Sequence, residues 1–238
     1  KVFCAYSGKN NKIQAITNSA SLIDGINYAV VNGADIINMS FGGPEIAYND
    51  GFVEGRGDLL FYDALIGAIN STQNGILVIA AVANDNQQFD PSNDSRVVPA
   101  AYPEVMAVSS VTYDGQRSIF SNFGDSIDVA AFGGGGGNQE GVLSTYLPNN
   151  LYAYLKGTSQ ATPFVTGLAA LIKSYSNVNG MNLSASNIRQ IIQSSANRNG
   201  LSYQYVGNGI IHGGRAFQLL DSSHIQPSID IMVGTSLN

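Results

Sequence analysis

Ser159 stands where a serine could act as a nucleophile. The small-residue pair Gly157-Thr158 delivers it to the head of Ser159–Tyr175, whose Ala161, Val165, Leu168, Ala169, Leu171 and Ile172 are apolar around most of a helical circumference. This predicts a deeply buried helix, and Pro163 falls early enough in it to be tolerated. At a helix N-terminus the first N–H groups lack partners and the dipole favours negative charge, which suits a developing oxyanion. The same position suits a plain N-cap, a common role for serine. An alcohol is a weak nucleophile at neutral pH and needs a base, normally a histidine steered by a carboxylate. Only His212 and His224 are present, and both read as surface or structural residues.

The elements that would position Ser159 follow from periodicity. Val2–Tyr6, Ile36–Met39, Ile76–Ala81, Val105–Val111 and Ile127–Ala131 are short apolar runs that predict buried strands. Leu22, Ile26, Ala29 and Val30 share a helical face over Ser19–Asn32, closed by Asn32-Gly33, and a second helix is predicted from Leu59 to Gln73. Alternating strands and helices give parallel pairing with right-handed crossovers. The strands are continuously apolar, so both sheet faces must be covered. The fold class is therefore α/β, a mostly parallel sheet with helices on both faces. Gly133–Gly137 predicts a flexible surface loop. Gly141–Tyr146 and Tyr152–Lys156 flank Pro148-Asn149-Asn150 as a hairpin, and an amphipathic helix is expected over Ser184–Ser195. Periodicity is lost after Leu220. The expected organisation is one domain over residues 1–220 and a tail over 221–238.

Composition narrows the function classes. Eleven Lys and Arg against 17 Asp and Glu give a net charge of −6, so nucleic-acid binding has no cationic basis. The longest apolar run, Ile76–Ala83, is far below the ~20 residues of a membrane span. The single cysteine, Cys4, cannot form an internal disulfide and reads as a small apolar residue. Only 12% of residues are charged, about half the usual share, while glycine, with 27 residues, is enriched. That balance suggests an extracellular or cell-envelope protein.

The wording around Ser159 is more specific. Gly157-Thr158-Ser159-Gln160-Ala161-Thr162-Pro163-Phe164-Val165-Thr166-Gly167 resembles the serine block of the subtilisin-like proteases, G-T-S-M-A-x-P-H-V-x-G, matching seven of its nine fixed letters. Gln160 replaces Met and Phe164 replaces His. Further blocks follow in family order. Ile36–Gly43 resembles V-I-N-M-S-L-G-G, and Ala80-Ala81-Val82-Ala83-Asn84 resembles A-A-A-G-N, with Ala83 where Gly is usual. Pro99–Pro103 resembles part of Y-P-x-x-Y-P, and Phe120-Ser121-Asn122-Phe123-Gly124 resembles F-S-x-x-G.

This resemblance implies a serine endopeptidase acting on polypeptides. Ser159 would be the nucleophile and Asn84 the side-chain oxyanion donor. Ser40, Phe41 and Gly42 would form the substrate-binding strand edge, and Ala81, Val82 and Ala83 would also bind substrate. Val97 would lie near the floor of the primary specificity pocket and favour apolar side chains. The family's D-[ST]-G and H-G-T-H blocks are absent from the sequence. In relatives both precede the segment matching Val2–Tyr6. The expectation is that an upstream segment or a second chain supplies Asp and His, and that residues 1–238 alone are inactive. The alternative is a pseudoprotease that binds peptides without cutting them, which the departures at Gln160, Ala83 and Phe164 favour. No cofactor is needed for such hydrolysis. Structural calcium is an option the resemblance brings, although no spaced acidic run resembles an EF-hand.

Overall fold

The computed structural model describes residues 5–9, 12–16, 19–44, 56–88, 97–135, 141–146 and 152–224. Two strands, β1 (Ala5–Lys9) and β2 (Lys12–Ile16), pair antiparallel as a hairpin. Helix α1 (Ser19–Val31) ends where Gly33 takes φ +71° and the Ala34 N–H reaches back to the Ala29 carbonyl, closing the last turn. Strand β3 (Ile36–Met39), the two-residue β4 (Gly43–Pro44) and helix α2 (Arg56–Ile69) follow. Then come β5 (Leu77–Ala81), the short β6 (Val97–Val98), β7 (Met106–Val111) and β8 (Val129–Phe132). A hairpin of β9 (Val142–Thr145) and β10 (Tyr152–Leu155) leads into α3 (Thr158–Val178). The described chain closes with α4 (Ala185–Ser195), the single turn α5 (Tyr203–Val206) and α6 (Gly213–His224).

The central sheet has the order β3-β5-β7-β8, all parallel. Side chains alternate across it and build two cores. From β5, Val78 and Ala80 join Ile26 of α1 and Phe61 and Leu65 of α2 on one face. Leu77 and Ile79 join Val165, Leu168 and Ile172 of α3, Ile188 and Ile192 of α4, and Ala216 and Leu220 of α6 on the other. Each fully buried aliphatic side chain contributes roughly 1.5–3 kcal/mol of transfer free energy. This is the three-layer α/β arrangement that the unbroken apolar runs demand.

Ser184 caps α4 by accepting from the Asn187 N–H at 3.2 Å, while the Asn187 side chain accepts from the Ser184 N–H. The buried Asp128, just before β8, ties that helix to the sheet: it accepts from the Ala107 N–H at 2.6 Å, Arg189 Nη2 at 2.8 Å and Gln193 Nε2 at 2.6 Å. Burial pushes its carboxyl above the usual carboxylate range, and Arg189 with the other donors opposes that rise.

Several expectations need correction. Ala5 and Tyr6 lie in the antiparallel β1–β2 hairpin rather than in a parallel strand of the central sheet, and residues 2–4 fall outside the described residues. Helix α2 stops at Ile69 instead of Gln73, because the Ser71 hydroxyl donates to the Ala68 carbonyl and the chain turns toward Gly75. Gly133–Gly135 are buried, not a surface loop: the Gly133 N–H donates to Val111, and its carbonyl accepts from Gly157. Gly136 and Gly137 lie outside the described residues. Helix α6 runs past Leu220 to His224, so the loss of apolar periodicity there is not the end of the helix.

Candidate active site

Ser159 is not the cap of α3. Gly157 occupies that position, with φ +152° and ψ 163° and no side-chain cap, and Thr158 is the first helical residue. The φ of +152° is a conformation that residues with a Cβ rarely adopt, so glycine suits this turn, and a Cβ there would stand 2.8 Å from Gln160 Oε1. Ser159 therefore sits inside the first turn, half-buried, with its Oγ donating to the Ser40 carbonyl at 2.8 Å. The Thr158 N–H is taken by Asn84, and those of Gln160 and Ala161 by the Gly157 carbonyl. Among the described residues, the Ser159 N–H is the early helical donor left for an incoming oxygen. The α3 dipole, summed over 21 residues, favours negative charge there.

Asn84 comes to the same point from the end of β5. Its Oδ1 accepts from the Thr158 N–H at 2.8 Å and from Thr158 Oγ at 3.1 Å. A backbone N–H can only donate, so the atom facing it must be the amide oxygen and Nδ2 is the free end. The result is a carboxamide anchored through its acceptor to Thr158, the residue next to Ser159, with its donor end left over. Thr158 as this anchor was not singled out from the sequence. Its place between Gly157 and Ser159 was the available signal.

The substrate-edge residues gather on the other side of Ser159. Ser40–Gly42 continue from β3, an edge strand of the described sheet, and belong to no strand themselves. Asn38 Nδ2 donates to Ser40 Oγ at 2.8 Å, and Thr166 of α3 donates to Asn38 Oδ1 at 2.8 Å, so α3 also holds this edge. Phe41 packs against the α1–α2 core. A Cβ on Gly42 would lie 2.9 Å from Val97 Cγ1 and 3.3 Å from the Ala81 carbonyl, which places Gly42, Ala81 and Val97 side by side. Ala81 and Val82 are fully buried and form the wall beneath, while Ala83 is half-buried against the same core.

Ala83 has φ +71°, a left-handed conformation that costs a residue with a Cβ roughly 1–2 kcal/mol. Ala83→Gly is expected to raise unfolding stability by about 0.5–1 kcal/mol after the added chain entropy of glycine is deducted. Denaturant titration checks this, and an unchanged or lowered midpoint contradicts it.

His212 does not complete the site. His212 is exposed, and its Nδ1 accepts from the Arg215 N–H at 3.2 Å at the head of α6. The His224 side chain lies outside the described residues. Among the described residues no group of three or more His, Cys, Asp or Glu side chains that could hold a metal ion is present. No described helix is long and apolar enough to cross a membrane.

The family model described as the Subtilase family matches residues 10–209. The chain belongs to the subtilase family. Among subtilases, it is 42% identical over 155 residues to the "Major intracellular serine protease" of Bacillus subtilis (strain 168), covering 65% of this chain and 41% of that protein. It is 38% identical over 204 residues to the "Thermostable alkaline protease" of Halalkalibacterium halodurans, covering 84% of this chain and 46% of the relative. The solved structure of a "Lanthipeptide Protease" superposes with a TM-score of 0.73 at 25% identity, over 85% of this chain and 66% of that one. The chain thus spans about half the length of these two curated subtilases.

Proposed function

We propose that the protein is a serine endopeptidase in which Ser159 attacks the scissile carbonyl of an extended polypeptide. The oxyanion so formed is held by the Ser159 N–H and Asn84 Nδ2. The observation that carries this reading is the pairing of a serine inside the first turn of α3, not at its cap, with an amide whose oxygen is anchored to Thr158, the residue next to that serine. Asp and His come from outside residues 1–238, either upstream or on a second chain. The hydroxyl then turns from the Ser40 carbonyl to the imidazole, which takes its proton as Oγ bonds to carbon. Ser40–Gly42 offer backbone groups to the substrate by strand addition. Val97, beside Gly42, gives the primary pocket an apolar lining, which suits apolar side chains.

The departures from the family pattern leave this geometry in place. Ala83 adopts the conformation a glycine would. Phe164 turns to Phe132, ring centroids 6.4 Å apart, and the Gln160 side chain sits against Gly157. They therefore supply no structural argument for a peptide-binding pseudoprotease. An extracellular or envelope location rests on the low charge content and glycine enrichment; one relative is named as intracellular, so membership of the family does not set the compartment.

A covalent serine-directed phosphonate, applied to a form that carries the family's Asp and His, tests the nucleophile. The adduct is expected on Ser159 by peptide mapping and absent in Ser159→Ala. An adduct on another serine, or none in the active wild-type form, overturns the proposal.

A further inference from the structure

We propose that Asn122 is a positioning residue that holds the oxyanion donor Asn84 in register, with Phe120–Gly124 acting as the mould for the loop that carries it. The proposal rests on the reading of Asn84 as that donor. Asn84 opens the exposed segment Asn84–Gln88, which has no helix or strand of its own; Ala83 just before it and Asn86 within it are left-handed, φ +71° and +53°. Nothing within such a segment fixes its shape, so its partner must.

That partner is the second block. Asn122 is 2% exposed, and its Oδ1 accepts from the Asp85 and Gln87 N–H groups, both at 3.0 Å. Its own N–H donates to the Ala83 carbonyl at 3.2 Å. The Asn86 N–H donates to Phe120 at 2.9 Å, and the Phe123 N–H to Gln87 at 3.1 Å. Residues 83–87 are thus bonded at every position but Asn84 to the stretch 120–123, and Asn84 is left to Thr158.

Two further contacts stiffen the mould. Ser121 Oγ accepts from the Ser110 N–H of β7, joining the block to the central sheet. Arg117 donates through Nη2 to Asn86 Oδ1 at 2.8 Å and through Nη1 to the Ser121 carbonyl at 2.5 Å, its guanidinium 5.1 Å and 5.0 Å from the Phe123 and Tyr205 ring centres. The path runs from the sheet through Ser121 and Asn122 to Asp85 and Gln87, and so to Asn84. Removing the Asn122 carboxamide leaves two backbone N–H groups without their acceptor and Asn84 held from one end only. A displacement near 1 Å at a catalytic group can cost about 10²-fold in rate.

The test uses the protein in a form that carries the family's Asp and His. Asn122→Ala is expected to lower kcat by about 10- to 100-fold with KM changed less than about twofold. Asn122→Asp keeps an oxygen acceptor for both N–H groups and is expected to recover most of the loss. In an Asn84→Ala background, Asn122→Ala is expected to have no further effect on kcat. Should Asn122→Ala fail to fold, Arg117→Lys, which loses the fork to Asn86 and Ser121, is expected to lower kcat several-fold, and only while Asn84 is present. An unchanged kcat in both variants, or equal losses with and without Asn84, overturns the positioning role while leaving the Asn84 reading intact. If Asn84→Ala itself leaves kcat unchanged, the oxyanion reading fails and this inference falls with it.

Discussion

Ser159→Ala, in a form that carries the family's Asp and His, is expected to lower kcat for peptide hydrolysis by about 10⁶ while KM changes little. The magnitude comes from a subtilisin and is carried over to this family member. The substitution removes the one atom that bonds to the substrate carbon and leaves the machinery around it. Oγ makes a single described contact, to the Ser40 carbonyl at 2.8 Å, so its loss should disturb neither the fold nor peptide binding. The helix N-terminus and Asn84 still polarise the bound carbonyl, and a residual rate above that in water is expected. Full activity in this variant would place the nucleophile elsewhere.

Asn84→Ala is expected to lower kcat by about 10²–10³, again a magnitude obtained on a subtilisin, with KM nearly constant. The amide donor is worth most where charge develops, not where the neutral substrate rests, so the loss belongs to kcat. Asn84→Asp separates anchoring from donation. Its carboxylate can still accept from Thr158 N–H and Oγ, which lie at 2.8 and 3.1 Å from Oδ1 in the native residue. It places negative charge where a donor is required, so its kcat should fall at least as far as that of Asn84→Ala. Retention of activity by either variant, measured with a short chromogenic peptide, would remove Asn84 from the oxyanion site.

The parts legible from sequence were those set by local pattern. β3 was bounded by the apolar run Ile36–Met39, and α4 by Ser184 and the Ile188–Ile192 face, because burial on one side writes a period into the chain. The parallel sheet with both faces covered followed from strands such as Leu77–Ala81, in which every residue is buried. Gly133–Gly135 misled, since glycine serves a close-packed backbone as well as a mobile loop and composition does not distinguish the two. The short antiparallel hairpin at Ala5–Ile16 was also missed: an apolar tetrapeptide such as that before Tyr6 carries no record of the strand it pairs with.

At the site, Ser159 and Asn84 were legible because each lies in a block of fixed wording. The contacts between them were not. Thr158 and Asn84 are 74 positions apart, and Asn122 reaches back 37 positions to Asp85. Such hydrogen bonds are made by tertiary structure and leave no periodic signal. The sequence could also suggest that Ser159 is a cap; only the placement of Gly157 at that position decides otherwise.

We propose that residues 1–238 contribute the nucleophile and oxyanion site of a serine protease whose base and orienting carboxylate lie outside them. The most direct test is peptide hydrolysis by residues 1–238 alone, set beside the natural protein from its source under one assay. The account predicts turnover by the natural protein and none above the Ser159→Ala background by residues 1–238. Efficient turnover by residues 1–238 would contradict it, because a described histidine or some other base would then have to reach Ser159.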